Sequence, residues 1–78
     1  MADEPQRAEE VMAALFAGLK RHEQMALMAR LEDTGALLYR RWAETEPNLQ
    51  LREQLLASAE RESANARLLR QIINSEIK

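Results

Sequence analysis

The apolar residues of this 78-residue chain recur at the spacing of amphipathic helices, and no segment alternates as a strand does. In each half of the chain, mainly apolar or small residues follow one another at intervals of three and four. The first set is Met28, Leu31, Gly35, Leu38 and Trp42, and the second is Leu55, Ala59, Glu62, Ala66, Leu69 and Ile73. This spacing lines one face of a helix, so the pattern predicts an all-α protein.

Pro47 is the strongest internal break, because it lacks a backbone N–H and disfavours the helical conformation for the residue before it. We therefore predict a single domain over residues 1–78. It comprises helix A at about 6–44, a turn at about 45–48 and helix B at about 48–77. If helix A is interrupted, we expect the break near residues 33–35, where a glycine stands among weaker helix formers.

The apolar positions spread beyond one stripe on both helices, and two helices alone enclose no core. These additional positions are Leu15, Phe16, Leu19, Met25, Leu27, Leu37, Leu51, Leu56, Leu68 and Ile72. Exposed apolar patches of this kind usually mark an interface. We expect an antiparallel two-helix hairpin that forms a homo-oligomer, most simply a dimer making a four-helix bundle.

The charge distribution limits the classes of partner that we expect this chain to bind. Charged residues are 31% of the chain, the net charge is −2, and the two signs are interspersed. The sequence has no basic stripe, so we expect no nucleic-acid binding. It has no long apolar run, so we expect no membrane span. The absence of cysteine excludes disulfides and thiolate metal sites. The acidic N-terminus argues against a targeting signal, so the expected location is the cytoplasm.

One carboxylate on each helix interrupts the apolar pattern. Glu62 lies in a stripe that is otherwise apolar, and Glu32 has mostly apolar neighbours at helical spacing. Both lie about 15 residues from the turn, so antiparallel helices place them at similar height. Two such carboxylates need a shared proton, a cation or a metal ion. The simpler alternatives are neutralisation by an arginine such as Arg61 or Arg67, or rotation of both groups to the solvated edge.

Two segments resemble the metal-binding helices of ferritin-like and rubrerythrin-like proteins. They are EDTGALLY at 32–39 and ERESANA at 60–66. A single hairpin of this length most resembles the encapsulated ferritins, which build a di-iron site between two subunits. The resemblance implies that Glu32 and Glu62 are metal ligands, with Glu62 bridging, and that Tyr39 donates a hydrogen bond behind them. It covers roughly residues 28–69.

The chain departs from this pattern at Asn65, where the family has a histidine ligand. An amide oxygen is a harder and weaker donor, which shifts the preference from iron toward Mg²⁺, Ca²⁺ or Mn²⁺. The resemblance makes an encapsulin shell a candidate partner, but the C-terminal segment 74–78 lacks the cargo tail of an encapsulin client, so residence in such a shell is not supported. Two hypotheses follow. One is a ferritin-like metal protein whose ferroxidase-like activity Asn65 weakens, and the other is a metal-free helical oligomerisation or adaptor module.

Overall fold

The computed structural model describes the backbone of residues 4–77 and the side chains of residues 6–76. Its three helices are α1 (Glu4–Ala17), α2 (Arg21–Thr45) and α3 (Leu49–Ile77). Within residues 4–77 there is no strand, so the prediction of an all-α protein is confirmed. None of these helices has the length and apolar character needed to cross a membrane.

Helix A is divided, although not where the sequence suggested. The break lies at residues 18–20, and α2 continues without interruption through Gly35. The Lys20 N–H donates to the Glu23 carboxylate (2.9 Å) at the start of α2. The Gln24 side-chain amide donates to the Phe16 carbonyl at the end of α1 (2.9 Å). The Phe16 carbonyl also accepts from the Leu19 N–H (3.0 Å), so these bonds join the two helix ends across the break.

The second break lies beside Pro47, as expected from the chemistry of proline. Glu46 is extended, with φ −80° and ψ 116°, which is the conformation favoured before a proline. The Asn48 side chain accepts a hydrogen bond from the Leu51 N–H (3.1 Å), the usual cap of a helix N-terminus. Arg52 reaches back and donates twice to the Glu46 carbonyl (2.8 and 3.2 Å). The turn is therefore tied to the first turn of α3.

Helices α2 and α3 are the pair that packs extensively, and they run in opposite directions. Arg21 at the start of α2 pairs with Glu76 near the end of α3 (2.9 Å), and Asp33 pairs with Arg70 farther along. The facing stripes follow the three-four spacing. They are Met25, Ala29, Glu32, Ala36, Tyr39 and Ala43 on α2, and Leu55, Ala59, Glu62, Ala66, Leu69 and Ile73 on α3. The predicted stripe of helix B therefore does face its neighbour.

Alanines form the buried centre of this contact. Among residues 6–76 five are buried, at 1–2% exposure: Ala29, Ala36, Ala43, Ala59 and Ala66. They recur every seven residues on each helix, and we call them the alanine seam. The predicted stripe of helix A was wrong by one position, because its large members lie beside the seam rather than in it. Met28, Leu31, Leu38 and Trp42 are 36–52% exposed.

The described chain is one helix layer thick, with principal extents of 44 × 37 × 13 Å. The longest extent matches α3, because 29 residues at about 1.5 Å each span about 44 Å. Two packed helices lie only about 8–10 Å apart, so they do not account for the second extent. Helix α1, about 21 Å long by the same rise, supplies the remainder by extending sideways from the packed pair within the plane of the layer.

Candidate functional site

Glu32 and Glu62 lie in the facing stripes of α2 and α3, and both are half-buried. The other positions of each facing stripe are occupied by apolar or small residues. The two side chains interact, because a hydrogen bond with Glu32 is the largest cause that raises the pKa of the Glu62 carboxyl. Two carboxylates cannot form that bond unless one of them holds a proton, because an ionised carboxylate is an acceptor only.

Gly35 lies beside the Glu62 side chain. A Cβ added to Gly35 would lie 3.4 Å from both Cδ and Oε2 of Glu62. The carboxyl group of Glu62 therefore lies directly over the glycine, one turn along α2 from Glu32. The sequence marked Gly35 as a candidate break in helix A. The structure instead shows an uninterrupted helix at this glycine, with the Glu62 carboxyl group packed against it.

The pKa of the Glu62 carboxyl is raised above its ordinary value. The largest cause is the hydrogen bond with Glu32, followed by desolvation and by the negative charge of Glu32. Arg61 acts in the opposite direction through its positive charge. The pair therefore favours a single shared negative charge over two. A proton, a cationic side chain or a metal ion can each relieve the repulsion between the carboxylates.

The two broad faces of the α2–α3 layer differ in chemistry. On one face Arg40 donates to Ser63 (3.2 Å) and lies 3.7 Å from Glu60, while Asp33 and Arg70 form an ion pair. We call this the charged face. The opposite face, which we call the apolar face, carries Met28, Leu31, Gly35, Leu38 and Trp42 from α2 and Leu51, Ser58, Arg61, Asn65, Leu68 and Ile72 from α3. Because Glu62 leans over Gly35, its carboxyl group lies toward the apolar face.

Asn65 and Tyr39 occupy different places around the carboxyl pair. Asn65 is exposed on the apolar face, one turn along α3 from Glu62. Tyr39 is half-buried in the facing stripe, two turns along α2 from Glu32. Its ring packs edge-on against Trp42, with centroids 5.5 Å apart and planes at 87°. Four residues proposed for the site therefore lie within two turns of one another along their helices.

One chain alone supplies an incomplete ligand set for a metal ion. Within the part of the chain that the structure describes, no three His, Cys, Asp or Glu side chains converge on one point. Glu32 and Glu62 provide oxygen ligands of the kind that hard divalent cations prefer. Asn65 could add an amide oxygen. The residues present fit a divalent cation only if further ligands come from a second chain.

The chain matches no protein-family model, no curated protein and no solved structure. The likeness to ferritin-like proteins therefore depends on the residues of segments 32–39 and 60–66 alone.

Proposed function

We propose that this chain is a ferritin-like metal-binding protein that folds as a helical hairpin and dimerises into a four-helix bundle. The apolar faces of two copies meet in this bundle. The site then contains Glu32, Glu62 and Asn65 from each copy, and Tyr39 lies behind them as a hydrogen-bond donor. Iron and other divalent metals are the candidate occupants. One observation carries the proposal, namely that the Glu62 carboxyl group lies over Gly35, one turn from Glu32, at the edge of an exposed apolar face.

The apolar face supports closure by a second copy. In a single chain this face leaves several large apolar side chains exposed to water, including Trp42 at 52% and Leu68 at 54%. A two-fold interface uses the same surface on both partners, so Glu62 of each copy would approach the common axis. Four carboxylates and two amide oxygens then replace the incomplete set of one chain. Hard divalent cations accept oxygen ligands in this number.

The chain's own residues set the chemistry of this site. A cation bound beside Glu62 would displace the proton that the raised pKa of this carboxyl favours, so binding should release protons. Iron bound at such a site supplies redox chemistry with dioxygen. Asn65 offers oxygen rather than the imidazole nitrogen of the family, which lowers the affinity for Fe²⁺ relative to harder cations.

A metal-free oligomerisation or adaptor module is the second candidate, and the position of Arg61 favours it. The charge of Arg61 acts on Glu62, and its guanidinium donates to the Ser58 hydroxyl (2.9 Å). A modest rotation of this long side chain across a two-fold interface would let it neutralise a carboxylate of the other copy. The carboxyl pair would then fix the register of the helices rather than bind metal.

Thermal unfolding with and without divalent cations separates the two candidates. A ligand that binds only the folded state stabilises it, by about 2.7 kcal/mol at one hundred times the dissociation constant. We expect Mn²⁺ or anaerobic Fe²⁺ to raise the melting temperature of the full chain. The Glu62→Ala variant should lose that rise. Elemental analysis of the purified protein together with its native mass should show metal bound to a dimer or a multiple of it.

The matched control is Glu60→Ala. Glu60 is on the same helix and is mostly exposed on the charged face, 3.7 Å from Arg40. This variant should keep the full response to Mn²⁺. If divalent cations do not shift the melting temperature and Glu62→Leu raises it, the metal hypothesis fails and the module without metal is favoured.

A further inference from the structure

We infer that a second copy of this chain binds with its α2 antiparallel on α2 of the first, about a two-fold axis that passes beside Gly35. The inference deepens the proposed function and rests on it in one respect, since it takes the two apolar faces to meet. It goes further by assigning which helix covers which, and by bringing the Glu62 carboxyl groups of both copies to the axis.

The apolar face has the size of a standard protein–protein interface. It runs along the 44 Å extent of the layer and is two packed helices wide, which is about 20 Å. A face of that size offers roughly 800 Å² per copy, which is what each partner contributes to a stable complex. A two-fold interface uses the same surface on both partners, so a second copy covers the whole face.

The two helices contribute different chemistry to the middle of this face. The stripe of α2 is apolar or small throughout, and it consists of Met28, Leu31, Gly35, Leu38 and Trp42. The middle of the α3 stripe is polar, and it consists of Gln54, Ser58, Arg61 and Asn65. If α2 packed on α3 of the other copy, Leu38 and Trp42 would bury these polar groups, which costs free energy. Packing of α2 on α2 instead buries the apolar stripe against itself and leaves the polar groups of α3 to pair with each other.

The α2 stripe is symmetric about Gly35. Leu31 lies four residues before the glycine and Leu38 three residues after it, whereas Met28 and Trp42 lie seven residues away on either side. When two such stripes run antiparallel about Gly35, Leu31 of each copy faces Leu38 of the other, and Met28 faces Trp42. These four side chains are 36–52% exposed in one chain. Their contact therefore gives each of them an apolar partner.

The same axis passes the carboxyl group of Glu62. This group lies 3.4 Å from the Cβ position of Gly35, so it has the height of the axis. The two-fold operation therefore places the Glu62 groups of both copies opposite each other. A displacement of the axis by one helical turn would move them about 11 Å apart along the helices. The symmetry of the α2 stripe and the position of Glu62 thus indicate one common axis.

Disulfide trapping tests this pairing in a chain that has no cysteine of its own. Leu31→Cys with Leu38→Cys in one chain should give a covalent dimer as the main product of oxidation on a non-reducing gel. Each single variant should give little, because its residue lies about 10 Å along the helix from the same residue of the other copy, and a disulfide needs Cα atoms within about 7 Å. Met28→Cys with Trp42→Cys should trap the dimer in the same way.

The matched control is Arg30→Cys with Leu37→Cys, which has the same spacing on the charged side of α2 and should trap no dimer. Leu38→Cys with Ser58→Cys tests the other orientation, because these residues meet between copies only if α2 packs on α3. A covalent dimer from this last pair, but none from Leu31→Cys with Leu38→Cys, would overturn the inference. Absence of a covalent dimer from both pairs would also overturn it.

The Mn²⁺ response of the unmodified chain separates this inference from the proposed function. A dimer trapped by Leu31→Cys with Leu38→Cys, in a protein that Mn²⁺ does not stabilise, supports the orientation and refutes only the metal site. A clear Mn²⁺ response, together with a dimer trapped by Leu38→Cys with Ser58→Cys, refutes the orientation and retains the metal site.

Discussion

The carboxyl carbon of Glu62 lies 3.4 Å from the place that a Cβ of Gly35 would occupy. That separation is an ordinary van der Waals contact rather than a clash, and α2 is regular at this point. A methyl group at residue 35 therefore fits against the carboxyl group without moving the backbone. The position of Glu62 therefore does not require a glycine at residue 35, and the glycine lowers the stability of its own helix.

Gly35→Ala should raise the free energy of unfolding by about 0.5–1 kcal/mol, because alanine has less backbone freedom to lose in the unfolded chain. Urea denaturation followed by circular dichroism measures the change. Ala64→Gly, at an exposed position of α3, should lower stability by a similar amount. If Gly35→Ala is destabilising instead, a second copy must approach residue 35 more closely than the Glu62 side chain does.

The raised pKa of Glu62 predicts the sign of a pH dependence. The folded state holds this proton more tightly than the unfolded state, whose pKa is near 4.5. The associated stability is therefore complete below that value and is lost as pH rises through the higher folded pKa. In the presence of a chelator, Glu62→Gln should be more stable than the unmodified chain at pH 7, and the difference should shrink toward pH 4.

Asp33 serves as a control, because its pKa is shifted in the direction opposite to that of Glu62. Its pKa is lowered by the hydrogen bond and charge of Arg70, so its contribution is present above the unfolded value of 3.8 and is lost as pH falls. Asp33→Asn should therefore weaken the protein slightly at pH 7, since exposed ion pairs contribute little. Equal responses of the two variants to pH would contradict the assignment of the shared proton to the Glu32–Glu62 pair.

Leu31→Glu should weaken dimerisation by about a hundredfold or more. A two-fold interface buries this side chain twice, and each buried leucine contributes about 1.5–3 kcal/mol. Leu56→Glu is the matched control, because Leu56 is 45% exposed on the charged side of α3. Dissociation constants from sedimentation should separate the two variants. Similar losses in both would contradict the assignment of the interface to the apolar face.

Ala66→Leu should lower the free energy of unfolding by about 1–3 kcal/mol, because the alanine seam has no room for a larger side chain. Ala66 is 1% exposed, whereas Ala64 on the same helix is exposed. Ala64→Leu should accordingly be nearly neutral in the same urea titration. A tolerated leucine at residue 66 would mean that α2 and α3 can separate without loss of the fold.

Asn65→His should raise the affinity for Fe²⁺ and increase the rate of Fe²⁺ oxidation. Under the proposed function, the change places a nitrogen ligand one turn from Glu62, where ferritin-like proteins carry a histidine. The absorbance of ferric products under dioxygen measures the rate. His introduced at the exposed position Asn74 serves as the control and should leave the rate unchanged. A rate unaffected by Asn65→His would count against a ferritin-like site.

The sequence predicted the features that depend on strong local chemistry. Pro47 located the turn between α2 and α3, and the equal distance of Glu32 and Glu62 from it predicted their common height. The break at residues 18–20 was missed because Lys20 is not a usual helix cap, and its N–H is satisfied instead by Glu23. A glutamate three residues after a glycine-containing segment was the available signal.

The α2 stripe was missed for a different reason. Large apolar residues were assigned to the contact with α3, although the helices approach through Ala29, Ala36 and Ala43. The seven-residue recurrence of these alanines was visible in the sequence. It could not be distinguished from ordinary helix-forming composition, because alanine is the most favourable helix residue at any position. Which side chains faced α3 therefore required the structure.

The alanine seam has a consequence for how this chain can vary. An ordinary core is damaged when a substitution removes atoms, and it tolerates exchanges among leucine, isoleucine and valine. Here the buried side chains are already near the lower limit of size, so almost every substitution adds volume. The alanine seam therefore sets an upper limit on side-chain volume, and sequence variation at its positions is restricted to glycine, alanine and serine.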